Sequence, residues 1–174
     1  MLTLAQKKDA YSSFTAYAKL MIPLFNYEFE WSWHHHAICD EFERALNGEY
    51  STLLMSIAPQ SGKTCLTNLF ISYYIAKYPK RSVLYCTYNS DRAEAYTKNE
   101  LMGTMFSDMY RELFPHIKFK FDLDEEENTT KNKLKRKKST LTDRSFSILV
   151  ADKDGKINQS DNNRGRFLAA GVGQ

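Results

Sequence analysis

A nearly continuous apolar run, "YSTLLMSIA", breaks into "PQSGKT" and resumes as "CLTNLFISYYIAKY". The short run reads as a buried strand, the longer one as a helix apolar nearly all round, and the break as the turn joining them. After Pro79 comes a second apolar run, "RSVLYCTYN", and then "DRAEAYTKNELMGTMFSDMYRELF", which reads as one long helix with Asp91 near its start. Strand, helix, strand, helix in that order predicts an α/β fold built on a parallel sheet with right-handed crossovers.

The flanking segments are less regular. "LTLAQKKDAYSSFTAYAKLMI" has helical spacing and stops at Pro23. "HHHAICDEFERALNG" places Ala37, Ile38, Phe42, Ala45 and Leu46 on one helical face, with Gly48 as a stop signal. Beyond Pro115, "HIKFKF" alternates like an edge strand, and "RSFSILVA" and "GRFLAAGV" read as short strands joined by a polar segment. Between them, residues 122–143 are highly charged without apolar periodicity and read as an exposed loop. At 174 residues the chain is long enough for one domain with a proper core. A net charge of +3 says little about partners. No apolar run approaches the ~18 residues of a membrane span, and the N-terminus lacks a secretory core. Three cysteines (Cys39, Cys65, Cys86) form no C-x-x-C pair and read as reduced, mostly buried thiols of a cytosolic protein.

The turn itself ends like a phosphate-binding loop, G-x-x-x-x-G-K-[ST]. Gly62, Lys63 and Thr64 supply the end, whereas Ile57 stands where the first glycine would be. A helix N-terminus offers unpaired N–H groups and a positive dipole end to a polyphosphate. Gly62 lets the backbone approach the anion, Lys63 reaches the β- and γ-phosphates, and the Thr64 hydroxyl can hold Mg²⁺. Pro59 donates no N–H, so Gln60, Ser61, Gly62, Lys63, Thr64 and Cys65 must build the cradle. The bland alternative is a GKT that merely opens a buried helix.

"LLMSIAPQSGKT" resembles the deviant Walker A loop of the large terminase subunits of tailed phages, ATPases that pump DNA into preformed capsids. "WSWHHHAICDEFERALNGEYSTLLMSIAP" is similar to that family's segment before the first strand, and "VLYCTYNSDRAEAYTKNEL" to its second strand, turn and helix. "RELFP" and "NNRGRFLAAGVGQ" resemble its later helix end and the glycine-rich hairpin before the Walker B strand. Together these segments cover most of residues 27–114 and 162–174. The resemblance implies a P-loop NTPase-type parallel sheet flanked by helices and incomplete at the C-terminus. Residues 1–50 would form a helical and aromatic segment on the adenine side, and residues 51–174 the ATPase core. It further implies ATP and Mg²⁺ as ligands. The implied partners are duplex DNA, a portal protein and a small terminase subunit, in the host cytoplasm and transiently at the procapsid portal.

Two departures qualify that implication. Gln60 stands where the family often carries an arginine, and no hydrophobic run ending in Asp-Asp or Asp-Glu occurs in the sequence. Hydrolysis needs carboxylates for the Mg²⁺ shell and for the attacking water. Asp122, Asp124, Glu125, Glu126 and Glu127 sit in a polar loop instead. The expectation is therefore a chain that binds nucleotide with little or no turnover alone. It would be a fragment or one half of a split gene, completed by a C-terminal chain carrying the acidic strand and the nuclease part. Other readings are a helicase-like P-loop ATPase, because "APxxGKT" also resembles helicase loops, and a non-catalytic assembly module.

His34, His35 and His36 cannot face one metal ion, since consecutive helical side chains point ~100° apart. For Trp33 and His34 two readings stand: the resemblance places them near the adenine pocket, and helix-start packing is the alternative. Lys131, Lys133, Lys135, Arg136, Lys137 and Lys138 could neutralise DNA phosphates or be merely solvated beside the acidic "DLDEEE". The aromatics of "YEFEWSW" suit packing on the sheet better than stacking on bases. Arg111, Arg144, Arg164 and Arg166 are candidates for an arginine finger, Arg166 foremost because it flanks the glycine hairpin.

Overall fold

Thr3 and Gln6 open the chain with a reciprocal capping box, the Thr3 hydroxyl accepting from the Gln6 N–H at 3.2 Å and the Gln6 side chain accepting from Thr3 N–H at 2.9 Å. The helix they start, α1 (Leu4–Ser12), ends at Ser13, which caps a second helix, α2 (Phe14–Met21). The single N-terminal helix of the sequence reading is thus two, because Ser13 turns its hydroxyl onto the Ala16 N–H. Pro23 lies in a 3₁₀ turn, Ile22–Phe25, that stops α2. The computed structural model describes residues 2–25, 29–119, 145–151 and 165–171. These form an α/β fold that divides into two compact units, Met1–Tyr74 with Thr104–Leu113, and Ile75–Gly103 with Phe114–Gln174. Among the described residues no helix is long and apolar enough to cross a membrane.

The first unit is helical. Helix α3 (Trp33–Leu46) buries His35, Ile38, Cys39 and Phe42, and Gly48 turns the chain away at φ +78°. Ala37, expected on the buried face, is exposed. The core is a stack of rings. Phe14, fully buried, meets Phe42, Phe70 and Tyr73, each at 5.6 Å between centroids, and Phe42 stacks on Phe70 at 4.3 Å. Phe70 and Tyr73 come from α4 (Lys63–Lys77), the expected buried helix after the GKT stretch. The polar ends of these rings are satisfied: Tyr17 Oη lies 2.8 Å from Ser72 Oγ, and Tyr110 Oη donates to the Ser72 carbonyl at 3.0 Å. Burial pushes the Tyr17 and Tyr110 hydroxyls well above the usual tyrosine range, so both stay protonated donors.

The second unit carries the sheet, ordered β1 (Val83–Thr87), β4 (Arg166–Gly171), β3 (Ser145–Val150), β2 (Ile117–Phe119). Among the described residues β1 and β4 pair in parallel, with Leu84 opposite Leu168, whereas β4–β3 and β3–β2 are antiparallel. The sheet is therefore mixed and not the parallel sheet expected. The segment between β3 and β4 has no helical pattern, and a parallel neighbour needs a long crossover that is usually a helix. Phe146 stacks on Phe167 at 5.1 Å across the β3–β4 pair. Tyr85 stacks on Tyr96 at 4.0 Å, covering one face of β1. The opposite face is open, with Leu84 63% and Leu168 48% exposed and Cys86 exposed beside them. β1 is thus not the fully buried strand expected, and Cys86 is not a buried thiol.

Two further readings are corrected. Residues 52–58 carry no regular secondary structure and lie outside the four-stranded sheet, with Leu54 94% exposed. The apolar run has the composition of a strand but no ladder among the described residues in which to become one. The long helix expected after β1 is broken into α5 (Ser90–Ala95), a π-helical turn (Tyr96–Leu101), α6 (Met102–Met105) and α7 (Asp108–Leu113). Ser107 ends α6 by donating its hydroxyl to the Thr104 carbonyl at 2.7 Å, and restarts the chain by accepting from the Tyr110 N–H at 3.2 Å. The Asn89 carboxamide oxygen accepts from the Arg92 N–H at 2.8 Å and starts α5. Gly171 is required there: a Cβ would lie 2.2 Å from the Asn89 carbonyl carbon and the Ser90 nitrogen.

Candidate functional site

The turn before α4 is built by two left-handed residues within three positions, Gln60 at φ +61° and Gly62 at φ +73°. A side chain at φ > 0 is uncommon outside Asn, Asp and His, so Gln60 marks backbone held in place by its surroundings. The Ser61 hydroxyl donates to the Ala58 carbonyl at 2.6 Å and closes the turn on itself. The Gly62 carbonyl accepts from the Leu66 N–H at 3.0 Å, the first rung of the helix. Lys63 is therefore the first helical residue, at the end of a helix where main-chain N–H groups point outward. Pro59, Gln60 and Thr64 are exposed, and Ser61, Gly62, Lys63 and Cys65 are half-buried.

Beneath the turn lies a group of rings drawn from the aromatic stretch before α3 and from α3 itself. A Cβ at Gly62 would stand 2.8 Å from Phe29 Cε2 and 3.0 Å from His35 Nε2. Phe29 packs on His35 at 4.5 Å and on Trp31 at 5.4 Å between centroids, and Trp31 packs on His36 at 5.3 Å. Phe29 and Trp31 thus pack within the first unit, around His35. Their spacing before a helix gave no hint of this, because residues 29 and 62 are far apart in the chain.

His35 is 6% exposed. Its Nδ1 accepts from the Ser32 N–H at 3.0 Å, which leaves the proton of the neutral ring on Nε2. Burial, and then the neighbouring His34, hold its pKa below the ordinary value of 6.5, opposed by a hydrogen bond to the Ser61 backbone. The folded ring therefore takes up a proton only at lower pH than the unfolded one. Its contribution to stability is complete above the unfolded value of about 6.5 and is lost as pH falls through the folded value. The free energy of unfolding in urea is expected to drop between about pH 7.5 and about pH 5.5, and to drop less in His35→Gln. Equal drops in the two proteins would contradict the assignment.

On the outer side of α3, a cleft of about 340 Å³ is lined by Trp33, His34, Ala37 and Glu41 and by residues 53–57. Trp33 is 81% exposed at this cleft, and its ring meets His34 at 5.9 Å, nearly edge-on. The His34 Nδ1 lies 2.7 Å from Ser32 Oγ. Trp33 is thus not packed into the helix start, a place taken by Trp31. The Glu41 carboxylate accepts from the Tyr50 hydroxyl at 2.7 Å and from Arg44 Nη1 at 2.8 Å. The Tyr50 bond first, and then Arg44, hold Glu41 below the usual carboxylate range, so it offers the cleft an ionised acceptor. A mainly apolar cleft with one fixed acceptor has the form of a small-ligand site.

No protein-family model, no curated protein and no solved structure matches this chain. The remaining candidate residues are dispersed. Arg166 is exposed on β4 in the second unit, where its N–H donates to Ser82 Oγ at 3.3 Å. Arg111 lies over the Phe106 ring at 5.6 Å in the first unit. The carboxylates Asp122 to Glu127, the basic run from Lys131 to Lys138, Arg144 and Arg164 lie outside the described residues.

Proposed function

We propose that residues 58–65 cradle the triphosphate of ATP, and that the chain is the nucleotide-binding N-terminal part of a large terminase ATPase. In this reading it couples ATP and Mg²⁺ to the translocation of duplex DNA into a procapsid. The observation that supports it best is the left-handed pair Gln60 and Gly62 set directly on the N-terminus of the 15-residue helix α4. The cradle is made by N–H groups from Gln60 to Cys65, with Lys63 on the terminal phosphates. Trp33 and His34 lie against the base in the cleft beside α3, which gives each part of a nucleotide a place within the first unit.

Among the described residues no group of three or more His, Cys, Asp and Glu could hold a metal by itself. Mg²⁺ keeps several waters and binds through one or two protein oxygens plus substrate phosphates, so the exposed Thr64 hydroxyl is a sufficient protein ligand. The ion would supply neutralisation of phosphate charge. Turnover requires carboxylates that these residues do not place at a strand end, and a complementary C-terminal chain would bring them. The same chain would bring a ladder for residues 52–58. The partners of this reading are that chain, the portal protein, the small terminase subunit and duplex DNA. The basic run 131–138 supplies the DNA contacts, with Arg166 as the arginine to test in catalysis.

Titration calorimetry tests the reading. Mg·ATP is expected to bind saturably to the 174-residue chain and AMP far more weakly, with ATP hydrolysis appearing only when a polypeptide carrying the acidic strand is added. Turnover at motor-like rates by this chain alone would contradict it. One observation favours a second reading, the assembly module: the approach to the turn, residues 52–58, stands outside the sheet. Absence of ATP affinity even with the complementary chain would decide for that reading.

A further inference from the structure

Three features remain after the turn and its cleft: the open face of β1 and β4, the buried tyrosines of the first unit, and His35. The open face has no indicated occupant, and the tyrosines are hydrogen-bonded core groups. His35 is different, because it is a buried ionisable ring set against the one glycine that shapes the turn.

We propose that His35 is a positioning residue for the phosphate loop, holding Gly62 in its left-handed conformation by a hydrogen bond from Nε2–H to the Ser61 main-chain carbonyl. The proposal rests on the nucleotide reading above. The geometry leaves the ring little choice. Nδ1 is committed to the Ser32 N–H at 3.0 Å, with Ser32 Oγ at 3.2 Å, and this fixes both the tautomer and the plane of the ring. Phe29 at 4.5 Å and His34 at 3.9 Å between centroids, and Trp31 at 6.0 Å, brace the ring from its flanks. Nε2 then lies against the turn, 3.0 Å from where a Gly62 Cβ would be, and the Ser61 backbone holds the ring's pKa up, as an acceptor of that proton does.

The consequence is preorganisation. A turn with left-handed φ at Gln60 and Gly62, closed on itself by the Ser61 hydroxyl at 2.6 Å, keeps such φ angles where the surrounding structure holds them. A donor fixed from below keeps the Ser61 carbonyl turned inward. The N–H groups of the following residues are left facing a ligand, so binding does not have to order them. Phe29 contributes shape alone. His35 contributes shape and one hydrogen bond, and the two can be separated by substitution.

His35→Gln keeps an N–H near the position of Nε2, whereas His35→Asn keeps only an acceptor for the Ser32 N–H. Two measurements on the 174-residue chain tell them apart: hydrogen exchange at residues 61–65 without nucleotide, and the Kd for Mg·ATP. His35→Asn is expected to speed exchange at the turn and to weaken Mg·ATP, each about 10-fold, the loss of one hydrogen bond. His35→Gln is expected to stay within about 3-fold of the wild type in both, and to unfold at the same urea concentration as His35→Asn. Equal exchange at residues 61–65 in the two variants would overturn the proposal, whatever the nucleotide does. A wild-type chain that binds no Mg·ATP while His35→Asn still loosens the turn would refute the nucleotide reading and leave the link between His35 and Gly62 standing.

Discussion

Lys63→Ala is expected to weaken Mg·ATP binding about 10- to 100-fold while leaving the urea midpoint of unfolding unchanged. Lys63 is half-buried at the first position of α4, where it contributes nothing to the ring core that holds the first unit together. An ammonium at a helix N-terminus opposes the macrodipole, so its place there is not explained by helix stability. Hydrogen bonds to charged groups contribute about 1.5–3 kcal/mol, and a lysine bridging two phosphates makes more than one of them. Lys63→Arg should recover only part of the affinity, because the planar fork does not reproduce a compact point charge. Calorimetry with Mg·ATP reads all three proteins, and an alanine variant that binds as the wild type does would mean that the turn is not where the phosphates sit.

The second large effect is on folding. Phe14→Ala is expected to cost about 3–5 kcal/mol in urea denaturation, because the surrounding rings cannot collapse into the space. Phe14 is fully buried, and its neighbours Phe42, Phe70 and Tyr73 are fixed in turn by α3 and α4. Tyr73 is further tied by its hydroxyl, which donates to the Tyr11 carbonyl at 3.0 Å, and so cannot swing inward without losing that bond. Phe14→Leu should cost about half as much, since it keeps most of the apolar volume. A loss below about 1 kcal/mol for the alanine variant would show that the ring cluster relaxes freely.

Much of this was legible in the sequence where the signal is local. The Pro23 and Gly48 stops fix helix ends through contacts a few residues long, and α3 and α4 follow the spacing of their apolar residues. The alternation of "HIKFKF", "RSFSILVA" and "GRFLAAGV" likewise gives β2, β3 and β4. What the sequence hides is pairing. Whether "TLLMSIA" is a strand depends on a neighbour to accept its hydrogen bonds, and no property of the run itself supplies one. The direction of β3 against β4 depends on the connection between them, and apolar runs carry no direction. The helix after β1 fails at Ser107, whose hydroxyl serves the end of one helix and the start of another; its spacing alone looked continuous.

The site shows the same division. Gly62 was legible as a turn residue because a glycine takes φ > 0 without a Cβ penalty. His35 and Phe29 were not, because their contact with Gly62 is a tertiary one. The buried face of α3 held the clue. Ile38, Cys39 and Phe42 share it with His35, and a histidine on an apolar face must have found a partner. Burial pushes the Cys39 thiol up to about 12, which leaves it protonated and inert.

A crystal structure of the chain grown with Mg²⁺ and a non-hydrolysable ATP analogue is the most direct test of the central claim. The account predicts phosphate oxygens within hydrogen-bonding distance of the main-chain N–H groups of Gly62, Lys63 and Thr64, with the Lys63 ammonium on the outermost phosphate. An analogue bound elsewhere, or a turn at Gln60 to Gly62 left bare at saturating ligand, would contradict it.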